Sequence, residues 1–159
     1  MSRRVHLLLL QIYRRLPRAG RRFVVRRTTP LFNVGSMCII ERDDGALLLV
    51  RHSYRQAWGV PGGLLSRHEQ PADAAHREAL EEVVLDIELV GRPAVVVDAD
   101  ARRVDVIYRA RPAADVSLDG IRPRSPEIVE ARWFPADQLP ELQGETAGAL
   151  VELARVLRP

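Results

Sequence analysis

The sequence predicts an α+β domain in which helices cover a mixed β-sheet, and three observations support this prediction. From about residue 34 onward, strand-like and helix-like segments alternate irregularly, with hairpin signals and without a regular βαβ pattern. An apolar fraction of 47% with 28% charged residues is ordinary for a folded globular chain. The length of 159 residues suits one domain with a real core.

The N-terminal segment, residues 1–30, is predicted to be a basic, helical arm. Its nine arginines are uncompensated, because the first acidic residue of the chain is Glu41. Residues 1–40 therefore carry +9 and the remainder carries −6, for a net charge of +3. Val5–Leu16 is typical of a helix too short to span a bilayer, and no secretory signal is evident. A solvated or packed helix is the default, and weak contact with an anionic membrane or nucleic acid is the alternative.

Residues 31–159 form the predicted domain. Two strand-like runs, Gly35–Arg42 and Ala46–His52, flank Asp43-Asp44-Gly45, which predicts an antiparallel hairpin. A helix is expected from about Pro71 to Val84, since proline is tolerated in a first helical turn. The other expected elements are strands near Leu85–Val90, Ala94–Asp98, Arg103–Arg111 and Ile128–Phe134 and a last helix from about Thr146 to Leu157.

Composition excludes some chemistry. All 24 basic residues are arginine, so a lysine Schiff base or a lysine general base is excluded. Cys38 is the single cysteine and lies in an apolar run, so no intrachain disulfide is possible and a buried, inert thiol is expected. A single thiol without an export signal favours a cytoplasmic protein.

The predicted central helix carries three glutamates on one face. At 100° per residue, Glu81 lies about 60° to one side of Glu78 and Glu82 about 40° to the other. The predicted apolar face consists of Ala72, His76, Ala79, Leu80 and Val83. The carboxylates are therefore expected to point away from the core. A solvated acidic face is one reading, and a site for Mg²⁺ or Mn²⁺, which would offset the repulsion between them, is the other.

The surroundings of these glutamates resemble the Nudix box, the signature of the Nudix hydrolase family. Gly63, five residues, Glu69, seven residues and Arg77-Glu78-Ala79-Leu80-Glu81-Glu82 follow its spacing. The box spans Gly63 to Leu85, with Val84 in place of the usual glycine. The resemblance extends over roughly residues 32–157 and implies a Nudix-like α/β/α sandwich with a mixed central sheet.

The resemblance also implies roles for the residues of the box. Glu78, Glu81 and Glu82 would bind Mg²⁺ or Mn²⁺, and Arg77 would pair with Glu69, which is a further candidate ligand. Gly63 would let the backbone approach a diphosphate closely.

Further substrate contacts are predicted from Gly62, Arg51 and Trp58. A solubilising charge is the alternative for Arg51, and core packing is the alternative for Trp58. The general base stays open between Glu81 and Glu82 of the box and Glu127 and Glu130 near the last predicted strand.

The implied function is metal-dependent hydrolysis of a phosphoanhydride bond in a nucleoside diphosphate derivative or nucleoside triphosphate. A small nucleotide is therefore the expected ligand, and a homodimer is a further expectation. Two departures from the box, Val84 and Ser66, support the alternative of a non-catalytic nucleotide-binding module. The usual glycine ends the helix in a left-handed conformation. Because a β-branched residue rarely adopts that conformation, the helix is expected to end in another way at Val84.

Overall fold

The computed structural model describes residues 3–156. The chain separates into one compact unit that ends at Phe32 and a second that begins at Asn33. The predicted boundary between residues 30 and 31 lies within two residues of this division.

The first unit contains two helices, α1 (Arg3–Arg15) and α2 (Arg18–Thr28). Helix α1 corresponds to the helix predicted from Val5 to Leu16. The Arg21 guanidinium donates hydrogen bonds to the carbonyl oxygens of Leu16 (3.0 Å) and Arg14 (2.8 Å). These bonds satisfy carbonyl groups that the end of a helix leaves without partners. Within residues 3–156, none of the helices is long and apolar enough to cross a bilayer.

The second unit contains two sheets and two helices. In chain order these elements are β1 (Asn33–Ile40), β2 (Leu47–His52), β3 (Gly62–Leu64), α3 (Pro71–Val83), β4 (Ile87–Asp98), β5 (Arg103–Pro112), β6 (Ile128–Phe134) and α4 (Gly144–Val156). The four-stranded sheet has the order β3-β1-β5-β4, in which β1 and β5 are parallel and the other neighbours antiparallel. Strands β2 and β6 form a separate antiparallel pair. The α+β class and the mixed sheet are confirmed.

The predicted hairpin is correct in its turn and wrong in its pairing. Gly45 adopts a positive φ of 82°, and its N–H donates to the Arg42 carbonyl at 2.8 Å. Beyond one bridge between Glu41 and Leu47, however, β1 and β2 diverge into different sheets. Most residues of both strands are buried. Strand β1 pairs with β3 and β5, and β2 pairs with β6, so their long-range partners decide the two sheets.

Two other strand predictions need correction. The separate strands expected at Leu85–Val90 and Ala94–Asp98 are one strand, β4, whose register against β5 shifts between Val90 and Ala94. Gly91 lies in this irregular stretch with a positive φ of 73°. Strand β3 was not predicted, because Gly62-Gly63-Leu64 has almost no intrinsic preference for a strand.

The helices pack on two separate hydrophobic clusters. Helix α3 contributes Ala75, Ala79 and Val83 to the cluster that holds Cys38, and α4 contributes Ala149 and Leu153 to the other. Cys38 is completely buried, as predicted, and burial raises the pKa of its thiol. This layered arrangement is the predicted sandwich.

The predicted orientation of α3 was wrong in part. Ala79 and Val83 are buried as expected, but His76 is exposed and Leu80 is 48% exposed. The buried stripe includes Glu82 instead, at 6% exposure. The helix is thus rotated so that one of its glutamates faces the protein, which is incompatible with all three carboxylates pointing away from the core.

The conformation predicted for the C-terminal end of α3 was also wrong. Val84 adopts the left-handed conformation, with φ 58° and ψ 39°. The following residue, Leu85, is fully buried and donates to the Ala79 carbonyl at 3.3 Å. The N–H of Arg124 donates to the Glu82 carbonyl at 3.0 Å. These contacts hold the chain in a conformation that a β-branched residue disfavours.

Candidate active site

A cavity of about 510 Å³ lies in the second unit, between β3, α3, the loop before β6 and the start of α4. Its walls are rich in carboxylates and guanidinium groups. Strand β3 and helix α3 contribute Gly62, Gly63, Leu64, Arg77, Glu78, Glu81 and Glu82. The cavity is therefore built around the segment that resembles the Nudix box.

The two glycines of β3 allow this strand to lie close to both β1 and α3. A Cβ on Gly63 would collide with the carboxylate of Glu78, and a Cβ on Gly62 would collide with the backbone of Ser36 and Met37. A larger residue at Gly62 would displace β3 from β1, and one at Gly63 would displace the Glu78 carboxylate. Gly62 and Gly63 both line the cavity, and their contact with a substrate stays a prediction.

Arg77 connects the loop before α3 to the glutamates of the helix. Its guanidinium donates to both carboxylate oxygens of Glu69 at 2.7 and 3.0 Å. It also donates to Glu78 at 2.7 Å and to Glu81 at 3.1 Å. The hydrogen bonds from Arg77 and from the Ser66 N–H lower the pKa of Glu69 to about 2. Glu69 is therefore engaged by Arg77 and the loop backbone.

Glu82 is a buried carboxylate without a cationic partner among the described residues. Its closest donor is the Gly62 N–H, at 3.4 Å. Burial, together with the negative charge of Glu78, raises the pKa of Glu82 to about 8. A buried charge of this kind is costly unless a cation compensates it.

Glu78, Glu81 and Glu82 fit a divalent cation by the chemistry of their oxygens, and a cation would compensate the ionised form of the buried Glu82 carboxylate. Glu81 differs in that its side chain is 58% exposed. Across residues 3–156, no group of three or more histidine, cysteine or acidic side chains is already arranged as a metal site. Arg77 holds Glu78 and Glu81, so binding a cation would require these carboxylates to exchange partners.

Two predicted substrate contacts do not lie among the residues that line the cavity. Arg51 donates twice to the same oxygen of Glu130, at 3.1 and 2.8 Å. Trp58 packs edge-on against Phe134 with ring centroids 4.8 Å apart, and it belongs to the partly buried residues around the α4 core. The packing of Trp58 matches the alternative given for it, whereas Arg51 forms an ion pair with Glu130 and is not simply a solubilising charge. Contact of either residue with a substrate stays a prediction.

The two candidate bases outside the box differ in their position relative to the cavity. Glu127 lines the cavity, whereas Glu130 is bound by Arg51 and by Arg132. A free carboxylate at the cavity is a better candidate for proton transfer than one held by two guanidinium groups.

The sequence analysis did not predict a second set of residues that line the cavity. This set comprises His52, Arg55, Arg103, Gln143, Glu145 and Thr146. The register between β2 and β6 shifts between Arg51 and His52, and such a bulge changes the direction of a side chain. His52 lines the cavity, whereas its predicted neighbour Arg51 does not. A histidine at the end of a strand was the available signal, but nothing in the sequence indicated the bulge.

Known proteins resemble this chain over most of its length. The sequence profile of the NUDIX domain matches residues 31–153. A MutT-like protein of Streptomyces ambofaciens is 28% identical over 116 residues, which cover 73% of this chain and 72% of that protein. A CMP-5'-(N-acetyl-N-hydroxy-3-aminopropyl)phosphonate hydrolase of Streptomyces rubellomurinus is 30% identical over 132 residues, covering 77% of this chain and 64% of that protein.

A solved structure supports the same assignment. The crystal structure of a NUDIX hydrolase from Nitrosomonas europaea superposes with a TM-score of 0.69 and 25% identity, covering 82% of this chain and 76% of that one. This structural similarity, together with the cavity beside helix α3, agrees with the sequence match. The protein is therefore a member of the Nudix family and a pyrophosphohydrolase of the type found in that family.

Proposed function

We propose that the protein hydrolyses a phosphoanhydride bond in a nucleoside diphosphate derivative or a nucleoside triphosphate, in a reaction that requires Mg²⁺ or Mn²⁺. The observation that supports it most is the buried, uncompensated carboxylate of Glu82 beside Glu78, in a cavity whose wall is the glycine pair of β3. Such a carboxylate suits a site that receives a cation together with a phosphate group.

Glu78, Glu81 and Glu82 are the proposed ligands of the ion. When bound, the ion would neutralise negative charge on the phosphoryl oxygens as the anhydride bond breaks. Glu69 acts through Arg77, because its two carboxylate oxygens already accept hydrogen bonds from that guanidinium. We therefore place Glu69 as a positioning residue and not as a first choice of ligand.

Cationic side chains of the cavity would bind the phosphate groups. Arg55 and Arg103 both line it, and each is oriented by acceptors: Arg55 by Glu145 at 3.1 Å, and Arg103 by Asp105 at 2.8 Å. The absence of a side chain at Gly63 lets the Glu78 carboxylate lie against β3 at the cavity wall. Orientation of the diphosphate against fixed donors contributes to the rate by positioning and by charge stabilisation.

We propose Glu127 ahead of Glu130 as the carboxylate that accepts a proton from the attacking water. Glu127 lines the cavity, and the adjacent backbone is fixed because the Ser53 N–H donates to the Glu127 carbonyl at 2.8 Å. Glu81 and Glu82 stay as alternatives. The products would be a nucleoside monophosphate and a second phosphorus-containing group.

The same cavity and one relative support a proposal for the substrate class. The Streptomyces rubellomurinus relative is named for a CMP phosphonate conjugate, in which a nucleotide is joined to a second phosphorus group. We propose that this chain likewise accepts a nucleoside monophosphate unit joined through an anhydride to a second group.

Product analysis by mass spectrometry tests the proposal. The panel contains nucleoside triphosphates, ADP-ribose, a UDP-sugar and a CMP phosphonate conjugate, each with Mg²⁺, with Mn²⁺ and with EDTA. Glu82→Gln is expected to lose cleavage, whereas Glu88→Gln, at an exposed ion pair with Arg111, is expected to keep it. Cleavage in EDTA, or full activity of Glu82→Gln, would contradict the proposal. Tight binding without products would favour a non-catalytic binding module.

The basic arm supports a secondary proposal. Its nine arginines without an acidic residue favour weak contact with an anionic surface, a membrane or a nucleic acid. Binding to anionic vesicles or to an oligonucleotide should fall steeply with added salt. Equal binding at low and high salt would contradict a role for the arm.

A cytoplasmic location is proposed for the enzyme because its single cysteine is buried and forms no disulfide.

A further inference from the structure

His52 is a cavity residue that the proposed chemistry does not use. It ends β2, immediately after the register shift against β6, and lines the cavity that contains Glu78 and Glu82. Its ring is half-buried and tilts against Tyr54, with centroids 5.3 Å apart. A ring in this position can either accept or donate a hydrogen bond, depending on which nitrogen carries the proton.

The amide of Gln143 determines that choice. The Ala57 carbonyl can only accept, and the atom of Gln143 that contacts it at 3.1 Å must therefore be the nitrogen, Nε2. The Arg55 guanidinium can only donate, and its contact at 3.0 Å must be with Oε1. Both ends of the amide are thus identified by partners that have a single role.

The remaining contact of the amide is with His52. Nε2 of Gln143 lies 3.2 Å from Nδ1 of His52, and an amide nitrogen can only donate. Nδ1 must then accept, so the proton of the neutral ring is on Nε2. Burial, followed by the charge of Arg55, lowers the pKa of His52, which agrees with a neutral ring. No described residue accepts a hydrogen bond from Nε2.

The Gln143 amide is held tightly in this orientation. A Cβ on Gly59 would lie only 3.0 to 3.1 Å from the atoms of that amide, so the glycine leaves just enough room for it. The Gln143 backbone N–H donates to the Trp58 carbonyl at 2.8 Å, and its carbonyl accepts from the Ala147 N–H at the start of α4. The amide therefore has little freedom to flip.

A second unsatisfied polar group belongs to a residue that lines the same cavity. Thr146 is 1% exposed and lines the cavity, and its Oγ1 has no hydrogen-bond partner within the part of the chain that the structure describes. Leaving a buried hydroxyl without a partner costs free energy that a bound ligand can recover. Thr146 and His52 thus offer two polar groups without partners in the same cavity.

We propose that Gln143 fixes His52 as a neutral Nε2–H donor, and that this donor, together with the Thr146 hydroxyl of the same cavity, binds an oxygen acceptor of the substrate. Gln143 is a positioning residue that acts through His52. The proposal rests on the proposed nucleotide substrate, which supplies such acceptors as phosphoryl oxygens or base carbonyl oxygens. The wall formed by β2 and α4 would then select the substrate, while α3 carries the chemistry.

The first test measures the proton position without any turnover. In ¹⁵N-histidine-labelled full-length protein, long-range ¹H–¹⁵N spectra distinguish a protonated from an unprotonated ring nitrogen, and the His52→Gln spectrum assigns the signal. We expect His52 to carry its proton on Nε2, and Gln143→Met to yield a mixture of tautomers. A proton on Nδ1, or a Gln143→Met spectrum identical to that of the unsubstituted protein, would overturn the proposal. Neither result depends on whether the protein is a hydrolase.

The second test identifies the acceptor with simple probes. Inorganic pyrophosphate carries phosphoryl oxygens without a base, and cytidine and adenosine carry a base without a phosphate. A shift of the His52 Nε2–H signal with pyrophosphate assigns a phosphoryl acceptor, and a shift with a nucleoside assigns the base. Binding of these probes that moves other signals but leaves His52 unchanged would overturn the proposal.

A pair of substitutions tests the role in binding. The amide of glutamine can place a donor near the position of Nε2, whereas that of asparagine reaches only as far as Nδ1. With the substrate found in the panel, His52→Asn should raise KM roughly ten-fold or more, the effect of losing a hydrogen bond to a charged or polar acceptor. His52→Gln should recover most of that loss, and kcat should change less than KM in both variants. Equal KM values for the two variants would overturn the proposal.

Discussion

Val84 shows how a single residue can be forced into an unfavourable backbone conformation. Its φ of 58° is maintained by the burial of Leu85 and by hydrogen bonds to the last carbonyls of α3. Sequence reasoning applied the general rule for β-branched residues and missed this outcome, because contacts from residues 122–124, far along the chain, override the local preference.

Val84→Gly should therefore stabilise the protein. Relief of the left-handed strain outweighs the greater freedom of glycine in the unfolded chain, and we expect a gain of about 1 kcal/mol in chemical denaturation. Val129→Gly is the control, since Val129 is an exposed strand residue whose φ is not positive. That change should destabilise, and a loss of stability in both variants would show that Val84 is not strained.

Glu82 should make the metal-free protein sensitive to pH. Its folded pKa of about 8 lies above its unfolded value, so the folded state keeps a proton that the unfolded state has released. Stability should consequently fall as the pH rises from about 4.5 to about 8.

Glu82→Gln should remove this contribution. In EDTA, the variant should gain stability relative to the unsubstituted protein as the pH rises, on the order of a few kcal/mol at pH 8. Denaturation at several pH values measures the difference, with exposed Glu141→Gln as the control. A difference that does not grow with pH would mean that Glu82 is ionised in the folded state.

At the scale of elements, the site depends on how closely β3 approaches α3. The sequence predicted α3 to within one residue of its C-terminal end, because proline and the apolar spacing mark a helix clearly. It did not predict β3, whose conformation is imposed by pairing with β1. Nor did it predict the rotation of α3, since the alanines beside its glutamates left the buried face ambiguous.

Gly63→Ala tests this contact. The added methyl group would collide with the Glu78 carboxylate, and displacement of a reactive group by about 1 Å can cost roughly 100-fold in rate. We expect such a loss in kcat/KM with little change in thermal stability. Gly148→Ala adds the same methyl group to α4, where nothing lies within 4 Å, and should keep its activity. Wild-type activity in Gly63→Ala would exclude a tight requirement at β3.

At the scale of the whole molecule, the two units have different characters. Both hydrophobic clusters consist entirely of residues from the second unit. The sequence analysis proposed a basic arm and a separate domain from charge and pattern alone. It could not predict the cavity wall formed by His52, Gln143 and Thr146, because residues 91 positions apart meet there only after both sheets have formed.

We expect residues 31–159 to fold and act without the arm. A chain that begins at residue 31 should keep the unfolding midpoint and the kcat/KM of the full chain, since it retains both cores and the whole cavity. Calorimetry and the product assay measure these quantities side by side. A large drop in either would assign the arm a structural or catalytic role.

The pairing of β1 with β5 and of β2 with β6 has a consequence for synthesis on the ribosome. Asn33 pairs with Arg103, and Leu47 pairs with Phe134, so the parallel partner of β1 and the antiparallel partner of β2 do not exist until much of the chain has been made. Pairings this distant slow folding, and the nascent chain exposes buried-strand sequences such as Met37–Ile40 and Leu47–Val50 in the meantime. Nascent chains arrested before residue 103 should therefore be strong clients for chaperones, and release should coincide with the emergence of β6.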